Sequence, residues 1–146
     1  MSYNKAAKDI DEAMASMRWS IEPELFALVG FNEPPERADI DAMRPPAQLI
    51  REVDETTLLI RERDLAPICE RHQAARVESG LMWIRFEAAM GWEVVGFLAQ
   101  VTGALAQAGV PIGAVCGYSR DHLFVANKYE ESTRAVLTSL FPPSDA

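Results

Sequence analysis

The segment 93–140 constrains the fold more than any other part of the chain. Its apolar residues first recur every three or four positions, which predicts a helix that ends at Gly109, where a left-handed cap residue is expected. Two short apolar runs then flank a polar turn, and a second periodic stretch predicts another helix before Pro142. The segment is therefore predicted as helix, strand, turn, strand and helix, at 94–108, 112–118, 122–125 and 127–140.

The residues just before this segment add a strand. Apolar and less apolar residues alternate over 81–88, which predicts a strand with one face on the core. Trp83, Arg85 and Glu87 lie on its less apolar face. That face is either a solvated surface or a contact with a second copy, because Trp and Arg are enriched in interfaces. The order strand, helix, strand, strand, helix over 81–140 predicts a small α+β domain.

The first half of the chain carries a weaker form of the same order. An apolar face predicts a helix over 3–17, and the apolar run 25–31 predicts a strand buried on both faces. The proline-rich stretch 32–46 predicts a loop with at most one or two helical turns where a central helix would stand. A hairpin is predicted within 49–60, and Asp64 is expected to cap a helix.

The two halves together predict a degenerate structural duplication, although their residue identities show no clear repeat. The first half, 1–78, is predicted to hold the N-terminal helix and the incomplete module. The second half, 79–146, is predicted to hold the more complete module. Residues 77–80 are predicted to link them.

Length and charge limit the functional classes. A chain of 146 residues suits one compact domain or two half-sized ones, and 49% hydrophobic residues suffice for a buried core. A net charge of −8 argues against nucleic acid as a partner. The apolar stretches are too short to span a bilayer, and the N-terminus leads into an amphipathic pattern instead of a signal sequence. We expect a cytoplasmic protein with no membrane partner.

The cysteines and histidines give little support for a metal or a cofactor. Cys69 and Cys116 match no paired metal-binding spacing, and the chain has two histidines. A Cys/His metal site would require all four residues to converge. We expect reduced, buried thiols, no metal and no cofactor.

Several stretches of the sequence resemble a known family. Residues 93–101 (EVVGFLAQV) and 105–112 (LAQAGVPI) resemble the first helix and second strand of ACT domains, which are ferredoxin-like modules that bind amino acids or other small ligands. Residues 117–125 (GYSRDHLFV) are similar to a stretch in small bacterial paired-ACT proteins of uncharacterised function. The resemblance is strong over 81–140 and weaker in the first half.

The match departs from that group in two places. Ser119 and Arg120 stand where the group tends to carry Tyr-His, and Ala126 and Asn127 stand where it tends to have a proline. A ligand contact made by those side chains would be altered here.

The resemblance implies an α+β protein of tandem ACT-like βαββαβ modules, with the first module degenerate and an additional N-terminal helix. Because the chain ends after its last helix, the closing strand of the second module must be exchanged from elsewhere. The run 25–31 is the best donor by length and hydrophobicity.

The resemblance also places a ligand at the junction between the 81–88 strand and the following helix. Free N–H groups at a helix N-terminus favour a carboxylate, and Gly91 and Gly96 would let the backbone approach it. The alternative is that Gly91 makes a turn and Gly96 allows close packing. The candidate ligand-binding residues are Gly91, Trp92, Glu93, Val94, Val95 and Gly96 on one wall and Cys116, Gly117 and Tyr118 on the other.

Two of the three tryptophans are expected to have a structural role. Trp19 and Trp92 are interpreted as packing residues and not as ligand platforms.

Cys116, Asp121 and His122 would make an acid–base or nucleophilic site only if they met. A three-residue turn would put Cys116 and His122 on one face of the hairpin, whereas a two-residue turn would put them on opposite faces. Asp121 is typical of a turn. We therefore expect no catalytic residues.

The sequence thus favours a non-catalytic, regulatory protein that binds a small ligand, with an amino acid as a candidate, and that forms a homodimer. The alternative is a protein–protein interaction or dimerisation module without a small ligand. An enzyme is the third hypothesis.

Overall fold

The computed structural model describes residues 6–143, which form two compact units. Residues 6–22 and 82–143 make one unit, here called the split unit, and residues 23–81 make the other, here called the continuous unit. This division differs from the boundary predicted at 78/79, because the N-terminal segment packs with the C-terminal one. The behaviour of 1–78 and 79–146 as domains stays a prediction.

Seven strands and five helices build the described part of the chain. The helices are α1 (Ile10–Ser16), α2 (Arg37–Asp41), α3 (Leu65–Arg71), α4 (Phe97–Gln107) and α5 (Glu130–Leu140). The strands are β1 (Trp19–Ile21), β2 (Phe26–Phe31), β3 (Gln48–Arg51), β4 (Thr56–Arg61), β5 (Arg76–Phe86), β6 (Gly113–Cys116) and β7 (Asp121–Ala126). No helix within 6–143 is long and apolar enough to cross a bilayer.

The continuous unit has the chain order βαββαβ, with β5 as its last strand. Its strands are arranged β3-β4-β2-β5, and each neighbouring pair is antiparallel. The predicted strand at 25–31 and the hairpin are confirmed, and the helix between β2 and β3 is reduced to the five residues of α2. Leu28 is 40% exposed, so β2 is not buried on both faces. The core of this unit consists of Val29, Phe31, Leu58, Ile60 and Ile68.

The split unit repeats the order with β5, α4, β6, β7 and α5. Its strands are arranged β1-β5-β7-β6. An exchanged closing strand is confirmed, but the predicted donor is wrong. β1 pairs antiparallel with β5 from Trp19↔Phe86 to Ile21↔Ile84. β2 pairs instead with 76–81 of β5, inside the continuous unit. The expected α+β class, with two ferredoxin-like modules of which the first is degenerate, is confirmed.

Aromatic packing fills the core of the split unit between its sheet and helices. The rings of Phe86, Phe97 and Phe141 lie 5.2–6.2 Å apart between centroids. The indole N–H of Trp19 donates to the Phe141 carbonyl at 3.0 Å, so β1 is fixed to the end of α5. The buried Trp19 confirms its expected packing role.

The helix starts differ from the predicted ones for local reasons. α1 begins at Ile10, because Asp9 caps it by accepting the Glu12 N–H at 2.8 Å. Ala7 lies before the helix and forms a bridge with Met90, while the predicted start at residue 3 lies outside the described residues. α4 begins at Phe97 instead of residue 94, and its end before Gly109, with φ of 74°, agrees with the prediction.

Three further expectations need correction. Residues 77–80 are not a linker, since β5 already begins at Arg76. Asp64 makes no side-chain cap, because its carboxylate accepts from Arg44 at 2.7 Å. Asn127 begins a 3-10 turn before α5 and does not cap that helix with its side chain.

Candidate ligand cleft

The split unit carries a cleft of about 330 Å³ between the start of α4 and the β6–β7 turn. One wall is the loop 90–96 with the first turn of α4, and the other is the turn 116–121. This volume is at the small end of the range for small-molecule sites, roughly 300–1,000 Å³. Seven of the nine predicted residues line it: Gly91, Trp92, Val94, Gly96, Cys116, Gly117 and Tyr118.

Backbone hydrogen bonds hold the two walls together at their base. The Met90 N–H donates to the Ser119 carbonyl at 2.9 Å, and the Gly91 N–H donates to the Ala7 carbonyl at 2.7 Å. The Val94 N–H donates back to the Gly91 carbonyl at 3.2 Å, which closes a turn. The loop is thus hydrogen-bonded both to the β6–β7 turn and to the N-terminal segment.

Gly96 turns this loop into α4. Its φ of 97° lies in the left-handed region, which L side chains avoid. A Cβ on Gly96 would meet nothing within 4 Å, so the expected alternative of close packing is wrong and the backbone conformation is the reason for glycine. The first N–H groups of a helix have no acceptor within it, and Phe97, Leu98 and Ala99, the first three residues of α4, line the cleft.

Glu93 and Val95 do not line the cleft. A Cβ on Gly91 would collide with the Glu93 carboxylate, so Gly91 leaves space for this exposed side chain. Val95 is 81% exposed. The structure therefore places these two predicted residues outside the cavity, although they belong to the same loop.

The opposite wall is a four-residue turn. Cys116 pairs with Asp121 across the β6–β7 hairpin, and the Gly117 N–H donates to the Arg120 carbonyl at 2.8 Å. The next pair is Val115 with His122, so Cys116 and His122 point to opposite faces. Neither turn length considered from the sequence was correct, and no Cys–His pair forms here.

His122 belongs to a network on the face away from Cys116. Its Nδ1 accepts the indole N–H of Trp83 at 3.0 Å. Burial lowers the pKa of His122, and the nearby Arg85 and Arg120 cations lower it further, while Glu87 opposes them. Trp83 is 3% exposed, so its expected place on a solvated or dimer-forming face is wrong.

Arg120 and Asp121 bring opposite charges to the cleft. Burial raises the pKa of Asp121, which means that its carboxylate lacks full stabilisation by solvent. From the sequence, Arg120 is considered only as a departure from the related group and Asp121 only as a turn residue or part of a catalytic site, so neither is included among the candidate ligand-binding residues. The polar residues between the two predicted strands indicate a turn with charged side chains. Which of these side chains face the cleft depends on the turn length, which the sequence does not show.

Two aromatic side chains stand at the rim. Trp92 is 94% exposed and Tyr118 is fully exposed, and both line the cleft. The expectation that Trp92 packs in the core is therefore wrong. Large exposed aromatic side chains beside a cavity are typical of binding surfaces.

The four Cys and His residues do not converge on a metal site. Cys69 and Cys116 are both free, and Cys116 is exposed, contrary to the expected burial of both thiols. His72 instead lies beside Glu36 and Asp39 in the continuous unit.

Comparisons with known proteins agree with the fold. Residues 76–139 match the family model described as ACT domain. A solved protein from Agrobacterium tumefaciens is 18% identical, with a TM-score of 0.71, and the match covers 87% of this chain and 90% of that one. A protein of unknown function from Vibrio cholerae is 19% identical, with a TM-score of 0.65 and coverage of 87% and 91%.

The regulatory subunit of aspartate kinase from Thermus thermophilus has the same fold. It is 10% identical, with a TM-score of 0.59, and the match covers 84% of this chain and 96% of that subunit. No protein with a curated description is matched. ACT domains are regulatory modules that bind small ligands. Residues 76–139 therefore match the ACT domain family, and the described part of the chain has a fold consistent with the ACT superfamily.

Proposed function

We propose that this protein is a non-catalytic, cytoplasmic regulator that binds a small zwitterionic ligand, such as an amino acid, in the cleft between α4 and the β6–β7 turn. The observation that carries the proposal is the composition of that cleft. It combines the N-terminus of an 11-residue helix with one cationic and one anionic side chain, Arg120 and Asp121.

The carboxylate of such a ligand would bind at the start of α4. There the free N–H groups and the positive end of the helix dipole favour an anion, and Arg120 adds a positive charge. The ammonium group would pair with Asp121. Burial raises the pKa of Asp121 because it disfavours the charged carboxylate, so a cation beside Asp121 would stabilise that form and the complex.

Regulation would follow from a difference in affinity between two states of the protein. A ligand shifts a conformational or assembly equilibrium only by its differential affinity for the two states. We propose a homodimer as the assembly, with the exposed Trp92 and Tyr118 at the cleft rim as the surface that responds to the ligand.

A thermal-shift screen of the twenty amino acids, their decarboxylated amines and their deaminated acids tests this function. We expect a saturable rise in melting temperature with at least one amino acid at millimolar concentration, and a smaller one with its amine or acid. No saturable shift with any amino acid would contradict the proposal.

Matched variants locate the binding. We expect D121N and R120Q each to weaken the binding at least tenfold, because each removes one charge from the cleft. The controls are D41N and R37Q, which remove the same charges from an exposed pair on α2. Equal affinity in D121N, R120Q and the controls would exclude this cleft as the site.

The exposed rim favours a second candidate, an interaction module without a small ligand. Trp92, Val95 and Tyr118 are all more than four-fifths exposed. In that case light scattering would show a dimer that W92A or Y118A dissociates, with no amino acid affecting either state.

A further inference from the structure

The continuous unit buries an ionisable pair that the ligand cleft does not use. Asp39 lies on α2 and is fully buried, and His72 follows α3 and is 3% exposed. The His72 ring stacks on Phe31 with centroids 3.7 Å apart and planes 5° from parallel. Its orientation is therefore fixed by the core, and it presents Nε2 to Asp39.

Three potential metal-ligating atoms converge here. His72 Nε2 lies 2.8 Å from Asp39 Oδ2 and 3.8 Å from Glu36 Oε2. Among the described residues these three form a group whose ligand atoms all lie within 4.8 Å of one another. An imidazole nitrogen with two carboxylate oxygens is a ligand set that suits Zn²⁺ and other divalent transition metals.

The separations need only small changes to fit an ion. Zn–N and Zn–O bonds of about 2.0–2.2 Å in a tetrahedral site place neighbouring ligand atoms about 3.3 Å apart. The His72–Asp39 distance of 2.8 Å would widen by about half an ångström, and the His72–Glu36 distance of 3.8 Å would shorten by as much. The Glu36 side chain is 59% exposed, so it can move and provide the route of entry.

The surrounding groups form the outer layer that metal sites in proteins have. Arg71 Nε donates to Asp39 Oδ1 at 2.9 Å, and the Glu36 N–H donates to Oδ2 at 2.8 Å, so the carboxylate is oriented. Glu33 Oε2 lies 3.8 Å from His72 Nδ1. This separation is too long for a hydrogen bond, but the Glu33 side chain is 57% exposed and is free to move towards Nδ1, where a carboxylate would orient a ligating histidine.

The local charge is unbalanced without a cation. Glu33, Glu36 and Asp39 bring three carboxylates to the cluster, and its basic groups are Arg71 and His72, so the acidic groups are in excess. A divalent cation would offset this excess.

We propose that Glu36, Asp39 and His72 bind a divalent transition-metal ion, with Arg71 and Glu33 as its outer layer and water completing the coordination. The ion would fasten the loop that carries α2 to the end of α3. Every residue involved lies in the continuous unit, so this site is independent of the ligand cleft.

Titration of the EDTA-treated full-length protein with Co²⁺ and Zn²⁺ tests this site. We expect binding of one ion per chain, a rise in melting temperature, and a visible Co²⁺ spectrum without the near-ultraviolet charge-transfer band of a thiolate ligand. Because Cys69 and Cys116 are free thiols, the double variant C69S/C116S serves as a control that must keep the binding.

The variant E36Q identifies the ligands. It removes an exposed carboxylate that the fold does not bury, and we expect at least a tenfold loss of affinity. The matched control is D41N, which removes an exposed carboxylate at the other end of α2 and outside the cluster, and we expect its affinity to equal that of the parent protein. No saturable binding at millimolar metal, loss of binding in C69S/C116S, or equal affinity in E36Q and D41N would each overturn the proposal.

Discussion

Polar side chains of the split unit form hydrogen bonds and an ion pair on its sheet. Trp83 donates to His122 Nδ1, and Arg85 Nε lies 3.2 Å from Glu87 Oε2 while Ser20 donates to the other Glu87 oxygen. Because Nδ1 of His122 is an acceptor, the neutral ring carries its proton on Nε2. Protonation of Nδ1 would break the bond to Trp83, so His122 links the stability of this sheet to pH.

We predict that the protein loses stability as the pH falls below 6.5 and that H122Q reduces this loss. The folded state holds the pKa of His122 below its usual 6.5, through burial first and then Arg85 and Arg120. The unfolded state therefore binds the proton first, and the stabilisation present above pH 6.5 disappears as the pH falls through the folded-state pKa.

Urea unfolding of parent and variant between pH 8 and pH 5 measures the effect. The other histidine, His72, is present in both proteins, so the difference between their curves isolates His122. Parallel curves over the whole range would contradict the prediction.

At the scale of elements, α4 positions the cleft through its two ends. Gly96 is the N-cap residue of α4 and Gly109 follows its C-terminus, and both have a positive φ. Gly96 therefore sets the direction in which the helix starts, and Gly109 turns the chain towards β6. A third glycine, Gly103, lies inside the helix with open space around it. The backbone conformation and not the available space therefore determines where glycine is needed.

We predict opposite effects for alanine at two glycines of this element. G96A should destabilise the protein by about 1–2 kcal/mol, because a Cβ is strained at positive φ. G103A should stabilise it by about 0.5–1 kcal/mol, because alanine loses less backbone entropy in a helix. Neither added Cβ would meet an atom within 4 Å, so neither variant introduces a steric clash. The change in the free energy of unfolding, measured by chemical denaturation, therefore reports the effect of the Cβ on the backbone conformation. Changes of the same sign would refute this account of Gly96.

At the scale of the whole molecule, the split unit is completed by a segment distant in sequence. β1 closes the sheet beside β5, and the indole of Trp19 bonds to Phe141, 122 residues away. Ala13, Met17 and Trp19 are all buried in this unit. The C-terminal segment thus depends on the N-terminal one for a strand and for part of its core.

We predict that W19A destabilises the protein by about 3–5 kcal/mol, the usual cost of removing a buried aromatic side chain. The matched control W92A should change the stability by less than about 0.5 kcal/mol, because Trp92 is exposed. Equilibrium unfolding of both variants gives the comparison. A similar loss for both would mean that β1 does not stabilise the folded chain.

Much of the fold could be predicted because the signals that carry it are local. The periodicity of α4, the cap at Gly109 and the two β-hairpins depend on residues close in sequence. The loop 91–96 and the stretch 116–118 are predicted as cleft walls from the resemblance to ACT domains, which rests on motifs in the same part of the sequence. The place of Arg120 and Asp121 beside the cleft could not be predicted, because it depends on a four-residue turn. The outward position of Glu93 could not be predicted either, because it depends on one side-chain conformation.

By itself, the sequence determined the order of the elements, the degenerate first module and the two segments that border the cleft. Only the tertiary structure decided that the three-residue β1 closes the second sheet, that Trp83 is buried, and that Asp39 meets His72 across 33 residues. The physical reason is the range of the interactions. Periodicity and turns are set by neighbours in the chain, whereas strand pairing and the burial of polar groups depend on which distant surfaces the folded chain brings together.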